Sequence, residues 1–178
     1  TKDITDKITQ TTVVTKTDIR EIEDYKAFFK EFKGDFTIPG LFEGIIPQGI
    51  CYIGELDAFA ISGYYEDGLY PSMIMLVDAE TRKFTKAFPI QNVDGNDYFG
   101  HAGGLTASED YIYLTSESTC YVYEIEDLKD LKNGEALKFQ SNFKLNTLGS
   151  FACYNDGVLW TGDFIESSDK GRETARKI

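Results

Sequence analysis

The chain has 178 residues, with 18 Lys and Arg against 30 Asp and Glu, for a formal net charge of −12. That balance excludes broad contact with a nucleic-acid backbone or an anionic membrane surface, because both need clustered cations. At 42% hydrophobic and 14% aromatic residues the composition is that of a folded domain. The longest apolar runs, such as 74–77, fall far short of the roughly 20 residues that a spanning helix needs.

Residues 1–17 contain seven Thr and no aromatic side chain, and they read as a linker or tether. The sequence opens without Met and without an apolar signal segment, so the expectation is a processed, extracytoplasmic protein, secreted or lipid-anchored at the cell surface. Residues 18–34 predict an amphipathic helix, because Ile22, Tyr25, Phe28, Phe29 and Phe32 form one apolar stripe. Asp18 and Glu21 stand at capping-box spacing, and Gly34 provides a stop. Such a helix docks on the domain surface or in a partner's groove.

After Pro39 the texture changes to short β-prone runs between Gly, Asp and Asn. Strands are predicted at 49–53, 57–62, 73–77 and 83–89, then at 104–107, 111–115, 119–125 and 136–143, then at 151–154 and 158–161. Turn residues at Gly54-Glu55, Ser108-Glu109-Asp110 and Asn155-Asp156-Gly157 separate the first two strands of each set. A short helical insert is expected at 126–133. Cys51, Cys120 and Cys153 lack Cys-x-x-Cys spacing and adjoin aromatic or β-branched residues, so they read as buried thiols, with a disulfide between two of them as the alternative, rather than as a zinc or redox centre.

The three sets resemble one another. Gly49-Ile50-Cys51-Tyr52 aligns with Gly104-Leu105-Thr106-Ala107 and Ser150-Phe151-Ala152-Cys153, and the second strands align Ser62, Thr115 and Thr161. Matched positions Ile50, Leu105 and Phe151 lie 55 and 46 residues apart. A four-stranded unit recurring every 40 to 50 residues or so is the pattern of a β-propeller blade, whereas a β-sandwich has no reason to repeat one strand-turn-strand text. The expected fold is therefore all-β: about two and a half four-stranded antiparallel blades over 35–178, preceded by the tether and the helix. Such a count does not close a ring, so further chain or a second copy is expected to complete it.

Residues 38–163 resemble uncharacterised bacterial exported or lipoprotein proteins with a six-bladed propeller, distantly similar to the strictosidine synthase, gluconolactonase and paraoxonase superfamily. The similarity rests on Ile38-Pro39-Gly40-Leu41, Pro47-Gln48-Gly49-Ile50, Ile61-Ser62-Gly63-Tyr64, Val77-Asp78-Ala79-Glu80-Thr81, Gly100-His101-Ala102-Gly103-Gly104 and Gly157-Val158-Leu159-Trp160-Thr161-Gly162-Asp163. It implies a six-bladed ring. The hydrolytic members commonly carry an acidic metal ligand where this sequence has Gln48, a departure that argues against a calcium-dependent hydrolase.

Propeller topology gathers the loops before each first strand and after each second strand on one face, where candidate ligand-binding residues are Gln48, Tyr64, Tyr65, His101, Glu117, Ser150 and Asp163, with Ser116 beside them. His101 is the sole histidine and sits among small residues. It can act as a general base, a metal ligand or a hydrogen-bond donor to a ligand, or it can simply bond the backbone of an adjacent blade. A zinc site needing two or three histidines is excluded by count. Asp94-Gly95-Asn96-Asp97 fails the calcium-loop pattern, because Leu105 stands at the twelfth position. Neither a phosphate loop, a dinucleotide fingerprint nor a nucleophile elbow occurs.

The resulting expectation is a non-catalytic propeller segment that binds a small molecule, glycan or protein at its channel face, with no cofactor. The alternative is a hydrolase or lactonase using His101 with a carboxylate, Asp163 or Glu117, and possible help from a divalent ion such as Ca. Alanine substitution of His101 separates both from a purely structural histidine.

Overall fold

The computed structural model describes residues 5–10, 26–31, 36–164 and 175–177. The chain is mostly β, 46% strand and 13% helical, built from antiparallel sheets with no closed barrel among the described residues. Helix α1 spans Lys26–Glu31. The rest of the predicted 18–34 helix lies outside the described residues.

The first sheet is a meander of β1 (Ile45–Ile53), β2 (Ala58–Tyr65), β3 (Met73–Asp78) and β4 (Phe84–Gln91). The second places β5 (Gly104–Ala107), β6 (Tyr111–Ser116) and β7 (Thr119–Glu124) side by side. Helix α2 (Ile125–Asp130) follows, and the chain then forms β8 (Leu137–Lys138) and β9 (Ser141–Lys144). The third sheet orders β10 (Phe151–Asn155), β11 (Val158–Gly162) and β12 (Ala175–Lys177). The predicted strand at 136–143 is thus two strands. Leu137–Lys138 runs parallel to β4 of the first sheet and Ser141–Lys144 antiparallel to β7 of the second, because the chain crosses between sheets at the buried Phe139.

Strand β3 shows how the layers form. Its side chains alternate between two hydrophobic clusters, Ile74 and Leu76 to one, Met73, Met75 and Val77 to the other. The first cluster fills the space between sheets one and two, joining Ile53, Phe88 and Ile90 to Leu105, Ile112, Leu114 and Tyr123. Each such fully buried side chain contributes about 1.5–3 kcal/mol. The second covers the outer face of sheet one with Phe36, Ile38 and Ile8. Of the residues read as a tether, 5–10 are described, and they pack onto this face. Gln10 clips them there, donating to the Thr37 and Arg82 carbonyls and accepting from the Phe84 N–H.

The first strands of successive sheets approach closely at glycines. A Cβ on Gly49 would stand 2.8 Å from the Leu105 backbone N, and one on Gly104 would stand 2.5 Å from Ala152 N. Hydroxyls reinforce both junctions: Ser62 Oγ donates to the Ala102 carbonyl at 2.9 Å and Thr115 Oγ1 to the Gly149 carbonyl at 2.8 Å. The third unit departs from the sequence alignment. Gly49 pairs with Ser62 and Gly104 with Thr115, but in β10 and β11 the corresponding pair is Phe151 with Gly162. Thr161 pairs with Ala152 instead and bonds Thr147 Oγ1 at 2.7 Å. Thr161 therefore does not stand opposite Ser150, the residue aligned with Gly49 and Gly104.

Candidate functional site

One end of the three sheets gathers the bulge of β1, the loops that precede β5 and β10 and those that follow β6 and β11. Between them lies an open cleft of about 420 Å³ lined by Gln48, His101, Ser116, Glu117, Ser150, Leu148 and Phe164, with Gly103 and Gly149 in its floor. Local backbone chemistry sets each position.

Gln48 is the extra residue of a β-bulge. Pro47 faces Gly63 and Gly49 faces Ser62, leaving Gln48 without a cross-strand partner. Proline lacks the N–H that a regular ladder would use at this point. The bulge turns the exposed Gln48 side chain toward the cleft, where Nε2 makes one 3.2 Å bond to the Pro47 carbonyl.

His101 rides on a pinned loop. Ser72 Oγ donates to the Gly100 carbonyl and Ser62 Oγ to the Ala102 carbonyl, on either side of the histidine. Ala102 is fully buried at φ +53°, a left-handed conformation that costs a residue with a Cβ about 1–2 kcal/mol. The imidazole projects outward, meeting the edge of Tyr64 with ring centroids 4.9 Å apart. Its Nδ1 stands 3.7 Å from Glu117 Oε1, and the two side chains are 66% and 60% exposed.

Glu117 and Ser118 form the two-residue turn between β6 and β7, at φ +51° and +60°. Positive φ at both central positions is the geometry of a type I′ hairpin, usually built from Asn-Gly. The loop before β10 holds this turn, with Ser118 N–H bonding the Leu148 carbonyl and Leu145 N–H the Ser118 carbonyl, each at 2.9 Å. Immediately before the turn, Ser116 is only 2% exposed, and its shielded Oγ lies beside the Tyr98 hydroxyl, which burial holds well above the usual phenol range.

Of the candidates drawn from the sequence, Gln48, His101, Glu117 and Ser150 line the cleft, and Tyr64 supports His101. Tyr65 does not belong with them. Adjacent strand residues point to opposite faces, and Tyr65 is buried in the outer cluster, 5.2 Å from the ring of Tyr70. Asp163 also lies outside the lining. Its carboxylate accepts the Leu148 N–H and faces a neighbouring hollow with Ser118, Asn146 and Thr147, so the pairing of Asp163 with His101 is not formed. Leu148 and Phe164, both exposed, complete the lining without being expected from the sequence. Apolar residues in loops, with no strand periodicity to account for them, were the available sign.

Among the described residues that line the cleft, Glu117 is the sole carboxylate and there is no Lys or Arg. A second cleft of about 610 Å³, at the turns before β2 and β6 and around α2, is lined by Glu55, Glu109, Asp110, Glu124 and Glu126, with Lys129 bridging Glu55 and Glu126 at 2.7 and 3.1 Å. Among the described residues no three His, Cys, Asp or Glu side chains converge as metal ligands. Comparison with protein families and with curated proteins finds no match to this chain.

Proposed function

We propose that this chain is a non-catalytic binding module of propeller-like build whose cleft at the Gln48–His101–Ser150 end takes a small molecule or a short extended partner. The propeller reading draws support from the meandering sheets and from the glycine and hydroxyl junctions that recur from sheet one to two and from two to three. The observation that carries the binding reading is convergence: one cleft receives an amide, an imidazole, a carboxylate and two hydroxyls from three sheets. Pockets with a few directed polar groups on an apolar surround are the usual form of ligand sites.

A titration followed by the NMR signals of the single imidazole tests this directly. A ligand of the cleft shifts them saturably, and His101→Ala and Gln48→Ala weaken its binding. Unchanged affinity in both variants would overturn the assignment.

A hydrolytic reading has one observation in its favour, the 3.7 Å approach of His101 Nδ1 to Glu117 Oε1. It requires that pair to close to about 2.6–3.2 Å, the range in which a carboxylate orients a histidine base. Ester or lactone turnover abolished by His101→Ala and reduced by Glu117→Gln would establish it in place of simple binding.

A further inference from the structure

We infer that the end of the molecule bearing the cleft docks a cationic, apolar-anchored peptide segment of another protein; the inference rests on the binding reading above and names the class of ligand.

Exposed apolar residues are divided unevenly between the two ends of the sheets. The loops at the cleft end, 36–44, 66–72, 92–103, 117–118, 145–150 and 163–164, present Leu41, Phe42, Leu69, Phe99, Leu148 and Phe164, each between 41% and 73% exposed. Among the described residues the turns at the opposite end present no exposed large apolar side chain. Loops that only connect strands have no need of such residues, and their accumulation on one surface marks an interaction site. The loops are also joined to one another. Ser72 donates from its N–H to the Tyr98 carbonyl at 2.8 Å and from Oγ to the Gly100 carbonyl, and His101 reaches Glu117, so the apolar positions of successive sheets share one face.

Charge then fixes the sign of the partner. The same loops carry seven carboxylates, Glu66, Asp67, Asp97 and Glu117 among them, and no Lys or Arg. Of the strand lysines, Lys138 beside Gly95 and Lys144 bonded to Thr119 Oγ1 reach this end, both on the edge strands β8 and β9. Residues 165–174, which follow Phe164 in sequence, hold three carboxylates against two cations and add no net positive charge. An acidic surface set with apolar side chains complements a segment in which Lys or Arg adjoins Leu or Phe.

The cleft supplies the anchor. An apolar side chain enters between Leu148 and Phe164, a cation pairs with Glu117, and the Gln48 amide, which retains its Oε1 and a second N–H, offers a peptide group an acceptor and a donor together. The acidic cleft at the opposite end has Lys129 bridging its carboxylates and no exposed apolar loop residue, which makes it the internal control.

The experiment titrates the full chain with a short fluorescent peptide alternating Lys with Leu and Phe, with its Glu-for-Lys analogue and with a Lys–Ala peptide of the same charge, following anisotropy and the His101 imidazole signals. Glucose, inorganic phosphate and phosphatidylcholine vesicles are the remaining probes. The Lys–Leu–Phe peptide is expected to bind saturably, more weakly as salt rises, and roughly tenfold or more tightly than either analogue. Phe164→Ala is expected to weaken it about 5- to 30-fold and Glu117→Gln about 1.5- to 5-fold, both at exposed positions where the unfolding midpoint stays unchanged. Glu109→Gln, at the opposite end, is expected to leave the affinity as it was. Equal binding of the Lys–Ala peptide, or equal losses in Glu109→Gln and Glu117→Gln, would reduce the attraction to net charge and overturn the proposal. Glucose or phosphate moving the imidazole while the peptide does not overturns the peptide class and leaves the cleft a ligand site. Vesicles bound in place of the peptide overturn it as well, and so does silence from every probe.

Discussion

Replacing Gly104 with alanine tests the claim that glycines set the distance between sheets. The added methyl would stand 2.5 Å from Ala152 N and 2.6 Å from the Phe151 carbonyl carbon, and it would also collide with Thr115 Oγ1. Two of these three neighbours are backbone of β10, which no rotamer change can move aside. The sheets must separate, or β5 must twist away from its partner. Overpacking of this kind costs about 1–3 kcal/mol, and the alanine returns about 0.4–1 kcal/mol by restricting the unfolded chain. The expected net loss is about 1–2 kcal/mol, a fall in Tm of roughly 2–8 °C for a chain of this size. Urea unfolding of Gly104→Ala beside Gly157→Ala measures it. Gly157 has nothing within 4 Å of the corresponding position, so its alanine meets only the strain of φ +78°. If Gly104→Ala is neutral or stabilising, the junction is not limited by contact at this point and the packing argument fails.

Other substitutions probe other elements. Ser118→Gly relieves a left-handed residue in the β6–β7 turn without touching its backbone bonds; relief of about 1–2 kcal/mol less the entropy of glycine leaves an expected gain of about 0.5–1 kcal/mol, read as a higher urea midpoint. Lys86 Nζ donates to the Leu128, Lys129 and Leu131 carbonyls at the end of α2. Lys86→Ala is expected to cost about 1.5–3 kcal/mol, the range for hydrogen bonds to a charged group, and to expose the amides of α2 to hydrogen exchange first. Burial pushes the thiols of Cys51 and Cys120 up to about 12, while Cys153 is exposed. Thiol reagents at neutral pH are expected to label Cys153 quickly and the other two only on unfolding. Because the folded chain keeps protons that an unfolded chain releases above pH 9.0, stability is expected to fall as pH rises from 9.0 towards about 12. A flat stability profile across that window would contradict burial of both thiols.

Strand positions were legible because alternation and turn residues agree along the chain, and the predicted strands from 49–53 onward fall on observed ones apart from the split at Phe139. What escaped was whatever depends on a partner strand. The bulge at Gln48 exists only relative to Gly63 and Ser62, so the spelling of β1 does not reveal it. Tyr64 and Tyr65 look alike in sequence, yet strand alternation gives one to His101 and the other to the outer core. In the third unit Ser150-Phe151 mimics Gly104-Leu105, and the pairing of Phe151 with Gly162 shifts the register. The loops holding Gln48, His101, Ser116, Glu117 and Ser150 were expected from the order of the strands, whereas Leu148 and Phe164 lacked any periodic pattern.

The hydroxyls of Ser62 and Thr115 do more than join neighbouring sheets. Each bonds a carbonyl in the loop that leads into the following sheet, so the loop bearing His101 is fastened by sheet one and the loop bearing Leu148 and Ser150 by sheet two. These two loops are thus shaped by the sheet before the one into which each leads. Assembly of the site is consequently sequential: a sheet folded without its predecessor would present its loop unfastened, and a change deep in β2 would reach the ligand through a carbonyl forty residues further along the chain.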